Sequence, residues 1–122
     1  MELYCKKCKY RIHSRALQES KYIDVQYGDG QELLPAWEYV RTDKANYNFD
    51  FPIKYLVHSK SLLLIDHEDS LRFQGCCGPS QFGELNQVCP QCKNEIGILV
   101  ADCWTSHFIG IDETKVTLQP IW

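Results

Sequence analysis

A mostly β domain built from antiparallel sheets is what this chain predicts, and three observations carry the prediction. Two Cys-x-x-Cys pairs stand near its two ends, Cys5/Cys8 in YCKKCKY and Cys89/Cys92 in VCPQCKN. Eight short runs rich in β-branched and aromatic residues lie between and beyond them, separated by glycine, proline and acidic turns. One segment alone, SRALQES at 14–20, reads as helix.

In chain order, the first cysteine pair runs into KYRI and the second into NEIGILV, the pattern of a knuckle turn leading into a strand. Strands are expected at 21–27, 37–41, 53–58, 61–66, 71–74, 95–101, 108–111 and 115–118. The punctuation is GDG at 28–30, read as a hairpin turn, then Pro35, Pro52, the HEDS turn at 67–70, and Pro79. Asn94 is the residue expected to adopt a left-handed conformation in the second knuckle, because asparagine tolerates positive φ better than most.

Cys5, Cys8, Cys89 and Cys92 are the predicted ligands of one structural Zn²⁺. A Cys-x-x-Cys turn places two sulfurs at two corners of a tetrahedron, about 2.3 Å from a metal, and two such turns close the site against water. Iron is accommodated by the same four sulfurs. The 80 residues between Cys8 and Cys89 make this cross-link unusual, since the insertion is the body of the domain. Closing a loop of that length removes about 4–5 kcal/mol of unfolded-chain entropy, by the relation written for disulfides.

The 122 residues, of which 44% are hydrophobic and 24% charged, suit a single domain, 1–122, with one modest core. A formal charge of −3, lowered by two more when four thiolates take up a divalent ion, disfavours nucleic-acid binding, which needs a density of Lys and Arg. The basic stretch Lys6, Lys7, Lys9, Arg11 and Arg15 reads as a solvated rim on the first knuckle. The longest apolar stretch, 62–65, is far too short to span a bilayer, so no membrane association is expected, and no signal peptide precedes the first knuckle. Seven cysteines, arranged as two metal knuckles and three others, point to a reducing, cytoplasmic setting.

These four cysteines, with a long insertion between the pairs, resemble the zinc-bearing β-tent domains, among them the yippee proteins, the thalidomide-binding domain of cereblon, the Rab-binding zinc chaperones and methionine sulfoxide reductase B. The resemblance implies two knuckles on separate hairpins gripping one Zn²⁺ at the apex of antiparallel sheets. No segment matches the nucleophilic strand motif of the reductase. The stretch GCCGPSQFGELNQVCPQC, together with DCWTSHF, also resembles a motif of uncharacterised bacterial proteins, and it implies no activity.

Five residues are candidates for more than structure: Cys76 and Cys77 in FQGCCGPS, and Cys103, Trp104 and His107 in ADCWTSHF. Flanking glycines make the Cys76/Cys77 turn permissive. A thiol near a histidine supplies a redox or hydrolytic nucleophile, whereas buried cysteine behaves as a small hydrophobe. Cys76, Cys77, Cys103 and His107 also have the chemistry for a second metal site, although adjacent cysteines in an extended chain diverge. Trp37, Tyr39, Trp104, Phe108 and Trp122 either pack the core or line an aromatic pocket for a cation or imide. His13, His58 and His67 read as solvated or core-capping residues, and Glu68/Asp69 and Asp112/Glu113 as solvated loop charge. The function these observations imply is recognition of a protein or small ligand near the GCC and DCWTSH segments. The competing reading is a thiol enzyme using Cys76, Cys77 or Cys103.

Overall fold

The computed structural model describes residues 1–21, 27–45, 47–73, 78–80 and 83–118. Its strands are β1 (Tyr4–Cys5), β2 (Gln18–Glu19), β3 (Glu38–Arg41), β4 (Ile53–Val57), β5 (Ile65–Asp66), β6 (Gln87–Val88), β7 (Glu95–Val100), β8 (Phe108–Asp112) and β9 (Val116–Thr117). Seven of them form one twisted sheet in the order β2-β3-β4-β8-β7-β6-β5, antiparallel except for the parallel β2–β3 pair. The remaining two, β1 and β9, pair antiparallel, with Cys5 opposite Val116.

Long strands arise where apolar residues alternate with a clear period of two. In β8, Ile109 and Ile111 face a cluster with Leu3, Cys5, Ile12, Leu17, Cys89 and Ile96, while Phe108 faces a second cluster with Leu33, Leu34, Val40, Leu56, Ile98 and Val100. The sheet is therefore buried on both faces, and the cysteine knuckles sit on the first. At its centre β7 and β8 approach closely: a Cβ on Gly97 would lie 2.4 Å from the carbonyl oxygen of Gly110. Only glycine fits there.

Five expectations are corrected. Residues 14–20 form no helix. Instead Leu17 N donates to Met1 O, and Gln18 N and Ser20 N donate to the carbonyls of Trp37 and Tyr39, so tertiary pairing outcompetes a weak local preference. Residues 71–73, expected as strand, lie in a 3₁₀ turn spanning Ser70–Phe73, because the Asp69 carboxylate accepts from Leu71 N at 3.1 Å and starts the turn. Of 61–66 only β5 is strand, and the first knuckle leads to a lone bridge between Arg11 and Tyr4 rather than a strand. Asp112 is not solvated loop charge: it is 2% exposed, and its Oδ1 accepts from the Thr114 N–H and hydroxyl. The expected strand at 21–27 falls largely outside the described residues.

Candidate metal centre and the cleft beside Trp104

Both knuckles are built by the same local hydrogen bonds. In the first, Cys5 N donates to Tyr10 O and Lys9 N to Cys5 O, each at 2.8 Å; in the second, Cys89 N donates to Asn94 O and Lys93 N to Cys89 O, each at 2.9 Å. Each ring wraps the backbone round its two sulfurs, with the residue after the second cysteine in the left-handed region, φ 66° at Lys9 and 64° at Lys93. Lys93 therefore takes the conformation expected of Asn94. The reason is positional, since the turn closes one residue earlier than the sequence suggests.

Tertiary pairing then brings the knuckles together from opposite ends of the chain. Cys5 Sγ lies 3.6 Å from Cys92 Sγ, Cys8 Sγ lies 3.6 Å from Cys89 Sγ, and all four sulfurs fall within 4.8 Å of one another. A tetrahedron with metal–sulfur bonds of about 2.3 Å has sulfur–sulfur edges of about 3.8 Å. These two 3.6 Å contacts match that edge, and the donor set, four thiols without carboxylate or imidazole among the described residues, fits a closed site for a soft or borderline divalent ion. Cys5 and Cys89 are buried, whereas Cys8 and Cys92 are half-buried.

Ionisation within this cluster is divided. Burial raises the Cys8 thiol, but the Tyr10 backbone N–H and the thiols of Cys92, Cys89 and Cys5 more than offset that, and its net shift is downward. Cys89 is pushed up, first by burial, with the neighbouring sulfurs of Cys8 and Cys5 adding to it. Cys92 rises to about 12, again chiefly through burial, with its three sulfur neighbours reinforcing the shift. One thiolate is stabilised by hydrogen bonds, and further ionisation beside it is resisted because like charge accumulates in a small space. A divalent cation removes that resistance.

Buried beneath the first knuckle, His13 is a core-capping residue: its Nε2 accepts from Leu3 N and its Nδ1–H donates to Arg15 O, both at 2.8 Å. Burial lowers its pKa from the ordinary value of 6.5, so the neutral ring is favoured. His58 and His67 also serve structure. His58 Nδ1 contacts Ser61 Oγ at 3.0 Å and accepts from Lys60 N, and His67 Nδ1 accepts from Asp69 N. The basic rim is partly engaged, with Arg11 bound to Glu2 at 2.8 Å and Arg15 lying over Trp37.

Of the other candidates, Cys76 and Cys77 lie outside the described residues. Cys103 is disulfide-bonded in this structure. His107 joins the backbone ladder: its N donates to Gln31 O at 2.6 Å and its O accepts from Leu33 N, while Nε2 is buried with no hydrogen-bond partner among the described residues. Trp104 is 69% exposed. It lines an open cleft of about 380 Å³ with Tyr27, Gly28, Asp29, Tyr47, Thr105 and Ser106.

The aromatic pocket considered from sequence is thus differently composed. Phe108 is fully buried, Tyr39 packs edge-on against Tyr55, Trp37 sits against the metal-side core, and Trp122 lies outside the described residues. Tyr27 and Tyr47, which share the cleft with Trp104, carry no local signal beyond tyrosine itself. The ladder between 28–33 and 105–107 carries Tyr27 there, and packing on Phe108 holds Tyr47.

Fold and site together define a mostly β domain with a four-cysteine cluster able to hold a metal ion. No family model matches the chain, and no curated protein or solved structure is significantly similar to it. The likeness to zinc-bearing β-tent domains extends to the four cysteines and no further. Among the described residues no helix is long and apolar enough to cross a membrane.

Proposed function

We propose that the chain is a zinc-stabilised binding domain: one Zn²⁺ held by Cys5, Cys8, Cys89 and Cys92 locks the fold, and a protein or small ligand is recognised on the face that carries Trp104. The observation that carries the metal half is the pair of 3.6 Å sulfur contacts joining residues from opposite ends of the chain. With four sulfurs and no further donor in the cluster among the described residues, bound zinc supplies structural cross-linking and polarises no substrate. The binding half rests on an indole 69% exposed at the wall of an open cleft, where a purely structural tryptophan would be covered.

Elemental analysis of protein purified without added metal tests the first half. One zinc per chain, lost in a Cys5→Ser/Cys89→Ser variant, is the expected result; iron with a visible thiolate-to-metal band assigns the other metal, and no retained metal overturns the proposal. The thiol-enzyme alternative predicts fast, single-site alkylation of Cys76, Cys77 or, once its disulfide is reduced, Cys103 near pH 7 in the metal-loaded protein. A binding domain shows none.

A further inference from the structure

We infer that the cleft beside Trp104 takes a small quaternary or alkylated ammonium ion, held by cation–π contact with Tyr27, Tyr47 and Trp104 and by the Asp29 carboxylate. This rests on reading the Trp104 face as the binding face and names the chemistry of its ligand.

Three aromatic rings line one cavity of about 380 Å³, within the size range of small-molecule sites. Their arrangement is braced from below. Tyr47 lies 4.8 Å, centroid to centroid, from Phe108, a fully buried ring of the core, and Tyr27 lies 6.1 Å from Tyr47 at 30°. The opposing wall is tied to this one by the chain itself: Gly28 N donates to the buried Ser106 hydroxyl at 2.9 Å, and Gly30 N to Thr105 O at 2.9 Å. The two tyrosine rings are therefore braced before any ligand arrives, which lowers the entropy lost on binding.

Charge selects the ligand. Asp29 lines the cleft and forms no ion pair among the described residues, and no lysine or arginine lines it. Elsewhere the chain caps ring faces with its own cations: Arg15 stands 5.1 Å over Trp37 and Lys54 5.7 Å over Tyr55. The cleft places three aromatic side chains beside the Asp29 carboxylate in an acidic chain. An alkylated ammonium suits such a surface because it carries full charge, is weakly hydrated, and meets aromatic rings with apolar methyl groups.

Titration of the metal-loaded full chain with choline, followed by amide and indole resonances, tests this against the neutral isostere in which carbon replaces the quaternary nitrogen. Saturable shifts at Trp104, Gly28 and Thr105 are expected, with the isostere at least tenfold weaker. Asp29→Asn should weaken choline binding several-fold and Trp104→Ala should abolish it, both variants keeping their metal. Equal binding of choline and isostere, or binding of neither, overturns the cation assignment. If only a trimethyllysine peptide shifts these signals, the occupant is a protein and the small-molecule assignment falls. A fragment screen separates this failure from that of the broader reading. Neutral fragments clustering at Trp104 retain the binding face and discard the cation, whereas fragments binding only elsewhere discard both.

Discussion

Lys9 and Lys93 are structural counterparts 84 positions apart in the sequence. Each follows its Cys-x-x-Cys pair and has a left-handed backbone, and each returns its ammonium to the residue after the first cysteine, Lys9 Nζ to Lys6 O at 3.0 Å and Lys93 Nζ to Pro90 O at 3.4 Å. A β-carbon at positive φ is strained. Yet both knuckles place lysine there, directly after the second cysteine of each pair.

Backbone strain and side-chain charge at this position are separable. Lys93→Val, a β-branched residue at positive φ, should lose about 1–2 kcal/mol of stability in denaturant unfolding of the metal-loaded protein. Lys93→Gly should unfold no more easily than the parent by the same measurement, while binding metal more weakly in chelator competition. Equal effects of the two substitutions would show that φ is irrelevant to the knuckle.

Metal uptake must release protons. Cys89 and Cys92 both have thiols raised above the ordinary range, the latter to about 12, so at pH 7 both are protonated and have to be deprotonated on ligation. Zinc titrated into reduced apo-protein by calorimetry, in buffers of different ionisation enthalpy, should release two or more protons per ion. Affinity should rise with pH across the neutral range. Release of less than one proton contradicts the ligand set.

Chelation should remove most of the stability. Structural zinc in finger peptides contributes about 10–16 kcal/mol at neutral pH, comparable with or larger than the whole stability of a domain. Metal-stripped protein should therefore lose its cooperative thermal transition, and restoring one equivalent of zinc should recover it. A transition unchanged by chelation would mean that the two faces of the sheet hold the fold without the cluster.

At Gly97 a methyl group has no room. Gly97→Ala places Cβ against the Gly110 carbonyl and should destabilise by about 2–3 kcal/mol in denaturant unfolding. Gly30→Ala is the control: its φ is 75° with nothing within 4 Å of the added carbon, so backbone strain alone should lower stability by about 1 kcal/mol. A smaller loss at 97 than at 30 would contradict the packing of β7 on β8.

Acid should weaken the fold through His13. Its folded pKa lies below the unfolded value of 6.5, so the unfolded chain takes up the proton first. The stability of the neutral ring is complete above that pH and is lost as pH falls from it towards the folded value. His13→Gln should flatten this part of the stability–pH curve in chemical denaturation while lowering stability at pH 7, where Leu3 N loses a well-placed acceptor. An unaltered slope in the variant would assign the acid sensitivity to the thiolates.

The strands most legible in sequence were those with enough alternating apolar residues to mark a face, β3, β4, β7 and β8, while the expected runs 61–66 and 115–118 shrank to the two-residue strands β5 and β9. The two-residue strands β1, β2 and β6 have no such pattern, because each exists only through its partner. Leu71 and Phe73 imitated a strand by composition, but the Asp69 side chain and an exposed site for Leu71 made the segment a turn.

What the sequence determined by itself is chemistry and local form: four thiols at knuckle spacing, a β class, and central strands whose side chains select their own faces. Tertiary structure decided the rest. It buried Asp112 and His13, and assembled Tyr27, Tyr47 and Trp104 into one cleft. The physical reason is range. Alternation and cysteine spacing act between neighbours, whereas burial and cleft membership depend on contacts between distant segments, whose partners exist only once the chain has closed on itself.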